Sequence, residues 1–223
     1  MSINIAIDGP AGAGKSTIAR KLASELGFIY VDTGAMYRAM AYYLTLKGID
    51  KDHTEDIDQV CLGANISISY ENGEQLVLLN GENVNAYLRT EAVGNMASIS
   101  SARPAVREKL TVLQKELAQK QNVVMDGRDI GTTVLPNAQV KIFMTADARV
   151  RAKRRYDELV AKGLSADLDE IEKDIKERDE RDMNRPISPL KQAEDAMLLD
   201  TSHMGIQEVV SRVKEICRER GLI

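Results

Sequence analysis

The chain has 223 residues, 43 % hydrophobic and 29 % charged, with a formal net charge of −4. That length and balance suit one domain, or one with small attachments, and the sign of the charge is opposite to that usual for a protein living on a nucleic-acid backbone. Aromatics are only 4 % and tryptophan is absent, which also argues against a stacking platform for single strands.

The opening "MSINIAIDGP" has no basic segment before a long apolar stretch, so no secretory signal is expected, and no apolar run reaches the length of a membrane span. We expect a cytoplasmic protein with no membrane or nucleic-acid partner. "INIAI" at 3–7 is a short apolar run without in/out alternation, as strands covered on both faces show. "FIYV" at 28–31, "VVM" at 123–125, "VKIFM" at 140–144 and "AMLL" at 196–199 read the same way. Helix-length periodic segments fall near 14–26, 34–47, 104–120, 146–162, 168–185 and 205–219. Strand alternating with helix predicts an α/β fold on a parallel, doubly wound sheet. Residues 66–88 break the rhythm. They alternate with period two around Asn72-Gly73 and Asn80-Gly81, which predicts a small antiparallel meander inserted into the α/β core. Cys61 and Cys217 lie far apart and, with His53 and His203, form no disulfide framework or zinc spacing.

"GPAGAGKST" at 9–17 fits G-x-x-x-x-G-K-[ST], after a strand and at the start of a helix. Glycines let main-chain N–H groups curl around phosphate oxygens, and the helix N-terminus adds partial positive charge. Lys15 can reach the outer phosphates and the Ser16 hydroxyl can ligate Mg2+. The loop implies a bound nucleoside triphosphate. A guanine-reading N-K-x-D is absent.

"YVDTGAMYR" at 30–38 repeats the strand-to-helix turn. Asp32 ends the strand, Thr33 stands where an N-cap belongs, and Arg38 lies a little over one turn into the helix. This predicts either a capped helix with an exposed arginine or a second phosphate site. "VVMDGRDIGT" at 123–132 makes a third such turn. Asp126 follows a buried strand, as an acid near Mg2+ often does in this fold class. Arg128 and Asp129 then fall outside the carboxyl ends of the strands, where open α/β sheets bind ligands.

In "RVRAKRR" at 149–155, Arg151, Arg154 and Arg155 share a helix face by their spacing, and three like charges there repel unless an anion sits among them, the alternative being a solvated basic face. In the next helix Leu168, Ile171 and Ile175 mark one stripe, and the same steps continue to Arg178, Asp182 and Arg185 in "RDERDMNRP". Arg178 and Asp182, at i and i+4, can pair. Glu180 and Arg181 leave the stripe, and Pro186 ends the helix.

Together "GPAGAGKST", "VDTGAMYRA", "DGRDIGT" and "RDERDMNRP" resemble the bacterial type of cytidylate kinase, over nearly the whole chain. The resemblance implies a P-loop NTPase fold with a five-stranded parallel sheet flanked by helices. It implies one kinase domain over 1–223, with a β insert at 62–92 on the monophosphate side and a helical lid at about 148–165. The reaction it implies is in-line transfer from ATP to CMP or dCMP, with Mg2+ as cofactor. Carried over by motif, Gly9, Pro10, Ala11, Gly12, Ala13, Gly14, Lys15, Ser16 and Thr17 would hold ATP, with Ser16 on the metal. Thr33, Arg38 and Arg128 would face the acceptor phosphate. Ser98, Arg107 and Asp129 would contact cytosine, and Arg178, Asp182 and Arg185 would complete the CMP site. Lys15, Arg128, Asp129, Arg154 and Arg155 would be the catalytic set, the last two from the lid. A kinase of the same fold acting on UMP or shikimate, and a non-catalytic nucleotide-binding regulator or RNA-binding module, are the competing readings. With no obvious apolar interface stripe, a monomer is expected.

Overall fold

The computed structural model describes residues 2–223. In chain order the elements are β1 (Asn4–Asp8), α1 (Lys15–Leu26), β2 (Ile29–Asp32), α2 (Thr33–Leu46), α3 (Ile57–Val60), β3 (Ile66–Glu71), β4 (Glu74–Leu79) and β5 (Glu82–Asn83). Then follow α4 (Glu91–Ser100), α5 (Pro104–Lys120), β6 (Val123–Gly127), β7 (Val140–Thr145), α6 (Ala148–Ala161), α7 (Leu168–Asn184), β8 (Met197–Asp200) and α8 (Ile206–Glu219). Each strand and long helix expected from the periodicity forms, with ends displaced by a residue or two. The chain divides into two compact units, one of Ile29–Val123 with Ser2, the other of Ile3–Phe28 with Val124–Ile223.

A five-stranded parallel sheet runs in the order β2-β6-β1-β7-β8. In the second unit Asp8 stands beside Phe143 on β7, and Thr145 beside Asp200 on β8. The carboxyl ends of β1, β7 and β8 therefore lie along one edge, and the loops that leave them start there. β1, β6 and β7 are buried almost throughout, as their unbroken apolar runs require. β8 corrects the expectation of a strand covered on both faces. It is the last strand of the sheet, Leu199 alone is buried, and Leu198 is 56 % exposed. Four apolar letters do not tell an edge strand from a central one.

In the first unit β3, β4 and β5 form the expected antiparallel meander. Asn72 and Asn80 take φ of 52° and 53°, and each is followed by a glycine at positive φ, the backbone of a tight twisted hairpin turn. α4 was not legible in the periodicity. Thr90 caps it by accepting from the Val93 N–H, and Val93, Met96, Ala97 and Ser100 form its buried stripe. Its Gly94 and its serines lower intrinsic helix propensity, so packing against α2 decides the conformation. Among the described residues no helix is long and apolar enough to cross a membrane.

Two loop glycines separate conformational freedom from close approach. Gly9 has φ +146°, and a Cβ there would sit 1.9 Å from the Met144 carbonyl oxygen of β7. Gly14 has φ +86° with nothing within 4 Å of such a Cβ. Gly14→Ala should cost ~1–2 kcal/mol, the left-handed penalty alone. Gly9→Ala should cost ~4 kcal/mol or more, because main chain cannot step aside. Urea unfolding midpoints compare the two, and equal shifts would remove the close-approach explanation.

Candidate active site

The loop 9–14 leads from β1 into α1, whose N-cap is Gly14. Lys15 is buried, and its Nζ donates to the Pro10 carbonyl at 2.7 Å. Burial is the main force lowering its pKa to about 7, and Arg128 and Arg178 lower it further. Asp126 and Asp8 pull it back up without restoring it. Such an ammonium lacks counter-charge, which an anionic group such as phosphate could supply. The exposed Ser16 donates its hydroxyl to Asp126 Oδ2 at 2.9 Å, so the loop hydroxyl and the acid one residue before the end of β6 are neighbours. Two adjacent oxygen donors suit a hard cation, which these residues would hold.

Asp8, the last residue of β1, accepts from the N–H groups of Ile130 and Gly131 at 2.8 and 2.7 Å. Those residues open a wide helical turn, 130–134, directly after Asp129. Burial outweighs these two bonds and raises the Asp8 pKa to about 6, with Asp129 adding to the rise and Lys15 opposing it.

Charged residues of α7 and of its C-cap, Arg185, gather beside the same turn. Arg185 Nη2 stands 3.5 Å from Asp129 Oδ1, both side chains nearly enclosed, and Arg185 Nε donates to the Ser188 carbonyl at 2.6 Å. Arg128 Nε donates to Asp182 Oδ2 at 2.9 Å. Burial pushes the Asp182 carboxyl up, but Arg128, Arg178 and Arg185 reverse that and hold it below the usual range. Asp182 and Arg185 are buried, Arg178 is half-buried, and Glu180 and Arg181 are exposed, as the stripe requires. Asp182 takes its hydrogen bond from Arg128, and Arg178, one turn before it, acts on the same carboxylate through its charge.

The three arginines of α6 do not share one environment. Arg151 is buried: Nη1 lies 2.6 Å from Asp179 Oδ2 on α7 and donates to the Ala11 carbonyl at 2.8 Å, and Nε donates to the Ala146 carbonyl at 2.8 Å. It props the loop from behind, so the reading of three unsatisfied charges on one face fails at this residue. Arg154 is half-buried and donates to the Thr201 carbonyl at 2.6 Å. Arg155 is exposed and pairs with Glu158 at 2.9 Å.

In the first unit the N-cap of α2 is Asp32, not Thr33, which becomes the first helical residue. Asp32 Oδ1 accepts from the Ala35 N–H at 2.8 Å, and Arg38 Nη2 lies 3.2 Å from Oδ2. A carboxylate serves a cap as well as a hydroxyl does, and here it also orients the arginine. Arg107 on α5 is buried, donates to the Ser101 carbonyl at 3.1 Å, and stands over the Tyr37 ring. The Ser98 hydroxyl on α4 is buried and has no hydrogen-bond partner among the described residues. A buried hydroxyl in that state is one that a ligand can complete.

The cytidylate kinase family model matches residues 5–219. The cytidylate kinase of Ligilactobacillus salivarius is 49 % identical over 98 % of this chain and 98 % of its own. That of Shouchella clausii is 46 % identical over 98 % and 97 %. The chain belongs to the cytidylate kinase family. Shikimate kinase from Bacteroides thetaiotaomicron, at 16 % identity, covers 97 % of this chain and 98 % of its own with a TM-score of 0.50, a likeness of fold alone. An uncharacterized protein from Eubacterium ventriosum is similar in fold at 13 % identity and a TM-score of 0.53, covering 96 % of this chain and 98 % of its own.

Three residues of this family member escaped the motif reading. Asp8 adjoins the loop as the last letter of an apolar strand, and a charged residue in a covered strand end is itself a signal. Asp179 is four residues after Ile175, where the stripe steps equally well to Arg178. Thr201 had no signal beyond following a strand.

Asp8 carries a pH prediction with a definite sign. Its folded pKa is raised, so its contribution to stability is fully present below about pH 4 and is lost as pH rises through about 6. That loss is on the order of 3 kcal/mol. Asp8→Asn should be destabilised overall, but its deficit relative to wild type should shrink between pH 4 and pH 7. Urea unfolding of both proteins across that range measures it, and a constant deficit would sink the assignment.

Proposed function

We propose that the protein transfers the γ-phosphoryl group of ATP to CMP and dCMP, giving ADP with CDP or dCDP. We place it in pyrimidine nucleotide metabolism, as a cytoplasmic monomer acting as one kinase domain. Residues 62–92 serve the acceptor side and residues 148–165 form the lid. The observation that carries this reading is the turn after β6. Asp126 meets the loop hydroxyl of Ser16, and three residues on Asp129 meets Arg185. A donor-side acid and an acceptor-side acid thus leave one strand together, in a chain whose family is cytidylate kinase.

Residues Gly9 to Thr17 wrap the ATP phosphates, and Lys15 regains its proton and full charge against them. Ser16, with Asp126 beside it, would hold Mg2+, which would supply neutralisation of charge on the phosphate oxygens. Thr33, Arg38 and Arg128 take the acceptor phosphate. Ser98 and Arg107 contact cytosine together with Asp129, and Arg178, Asp182 and Arg185 complete the CMP site, the last two at the sugar. Arg154 and Arg155 are the lid arginines that close on the phosphates. Their present partners, a neutral carbonyl and an exposed glutamate, hold them weakly enough to be exchanged for phosphate. Arg151, locked in its buried pair, stays in place.

The attacking oxygen belongs to an acceptor phosphate that is already an anion, so no general base is required. The protein aligns the two phosphates, neutralises the equatorial oxygens and excludes water. Asp129 reads the base: a carboxylate accepts from the exocyclic amine of cytosine and opposes the carbonyl of uracil.

Coupled ADP release across CMP, dCMP, UMP, AMP and shikimate tests the reading, with turnover expected for CMP and dCMP. ADP release independent of any acceptor would overturn it. Asp129→Asn should narrow the CMP-over-UMP preference by roughly tenfold or more. In the same assay Asp182→Ala and Arg185→Ala should lower kcat/KM for CMP by roughly ten- to a hundredfold with KM for ATP little changed, while Glu180→Ala does little. Equal small effects of all three would mean that the charges at 178–185 form a solvated helix face with no part in binding the acceptor.

A further inference from the structure

The tip of the β3–β4 hairpin closes on the end of β2 through two side chains. Tyr70 and Gln75 are direct cross-strand partners beside the Asn72-Gly73 turn. Tyr70 Oη donates to the Tyr30 carbonyl at 3.1 Å. Gln75 makes two bonds to a single residue: its Oε1 accepts from the Asp32 N–H at 2.9 Å, and its Nε2 donates to the Asp32 carbonyl at 3.2 Å. A primary amide facing one residue's N–H and C=O imitates the exchange made by an adjoining strand. Burial pushes the Tyr70 phenol above its usual range, so it stays a neutral donor.

Asp32 is where this clip matters. It ends β2, and its carboxylate caps α2 and meets Arg38. The main chain that Gln75 holds therefore sets where Thr33 starts the helix and where the Arg38 guanidinium points. The hairpin side is fixed in turn. Asn85 accepts from the Val77 N–H and donates to the Gln75 carbonyl, both at 2.9 Å, so the strand that carries Gln75 is tied on its other edge.

We propose that Tyr70 and Gln75 are positioning residues for the acceptor phosphate, through which the β insert sets the aim of Arg38. This rests on the role proposed above for Thr33 and Arg38. A hairpin contact that only stabilised the fold would affect both substrates alike, or neither. A positioning contact affects the acceptor alone.

The test is steady-state kinetics of Gln75→Leu and Tyr70→Phe with each substrate varied in turn, beside amide exchange at Asp32 and Ala35. Gln75→Leu should raise KM for the acceptor about tenfold and leave KM for ATP within about twofold. Tyr70→Phe, isosteric and short of one bond, should raise the acceptor KM about threefold. Exchange at Asp32 and Ala35 should quicken in Gln75→Leu. An unchanged acceptor KM, an equal rise in both KM values, or unchanged exchange at Ala35 would each overturn the proposal. The acceptor used is whichever monophosphate the wild-type protein phosphorylates, so a wrong assignment of cytidine leaves the comparison intact. Were the wild-type protein to phosphorylate none, the functional reading would fall, and the exchange rates would decide the clip separately.

Discussion

Two successive main-chain N–H groups, those of Ile130 and Gly131, converge on the carboxylate of Asp8. The residue after Asp8 is the first glycine of the phosphate loop, and the residue before Ile130 is Asp129. One side chain therefore sets the spacing between the loop and the turn that leaves β6. The arrangement is costly, because burial outweighs both bonds and leaves the acid holding its proton unusually tightly. Removing the carboxylate would strand two buried donors, which is why the contact holds despite that cost.

The same logic extends through the second unit. Lys15, Asp126, Asp129, Arg151, Asp179, Asp182 and Arg185 are all buried. Buried ion pairs are weak contributors to stability, since apolar groups of the same shape often do better. Arg151 and Asp179 would join α6 to α7 as well or better as a packed hydrophobic pair, but such a pair could not donate to the Ala11 carbonyl. Under the function proposed above, what the charges would provide is a set of dipoles and cations already aimed before any phosphate arrives, and preorganisation of that kind needs no rearrangement during transfer.

The periodicity carried the architecture because covered strands and amphipathic helices are written in adjacent residues. The phosphate loop was legible for the same reason: nine consecutive residues make it. Partner choice was not. Asp182 has Arg178 one turn before it and Arg128 more than fifty residues away, and only the fold decides that the distant one takes the hydrogen bond. Thr33 and Asp32 compete for one cap, and both are good caps by type. The edge position of β8 depends on how many strands the sheet has, which no local window contains. α4 depends on the surface of α2.

The three arginines of α6 differ because they have different neighbours, not different chemistry. Helical side chains lean towards the helix N-terminus, so Arg151, in the first turn, reaches back past Ala146 to the loop. Arg154 lies three residues on and reaches the main chain just after β8. Arg155, one residue further, leaves that surface and pairs with a glutamate of its own helix. A guanidinium has five donors, and a single carbonyl or carboxylate oxygen occupies few of them. The order along α6 is thus from fixed to exchangeable, and under the function proposed above the two exchangeable arginines are the ones that would be drawn to a phosphate held in the loop that the fixed one supports.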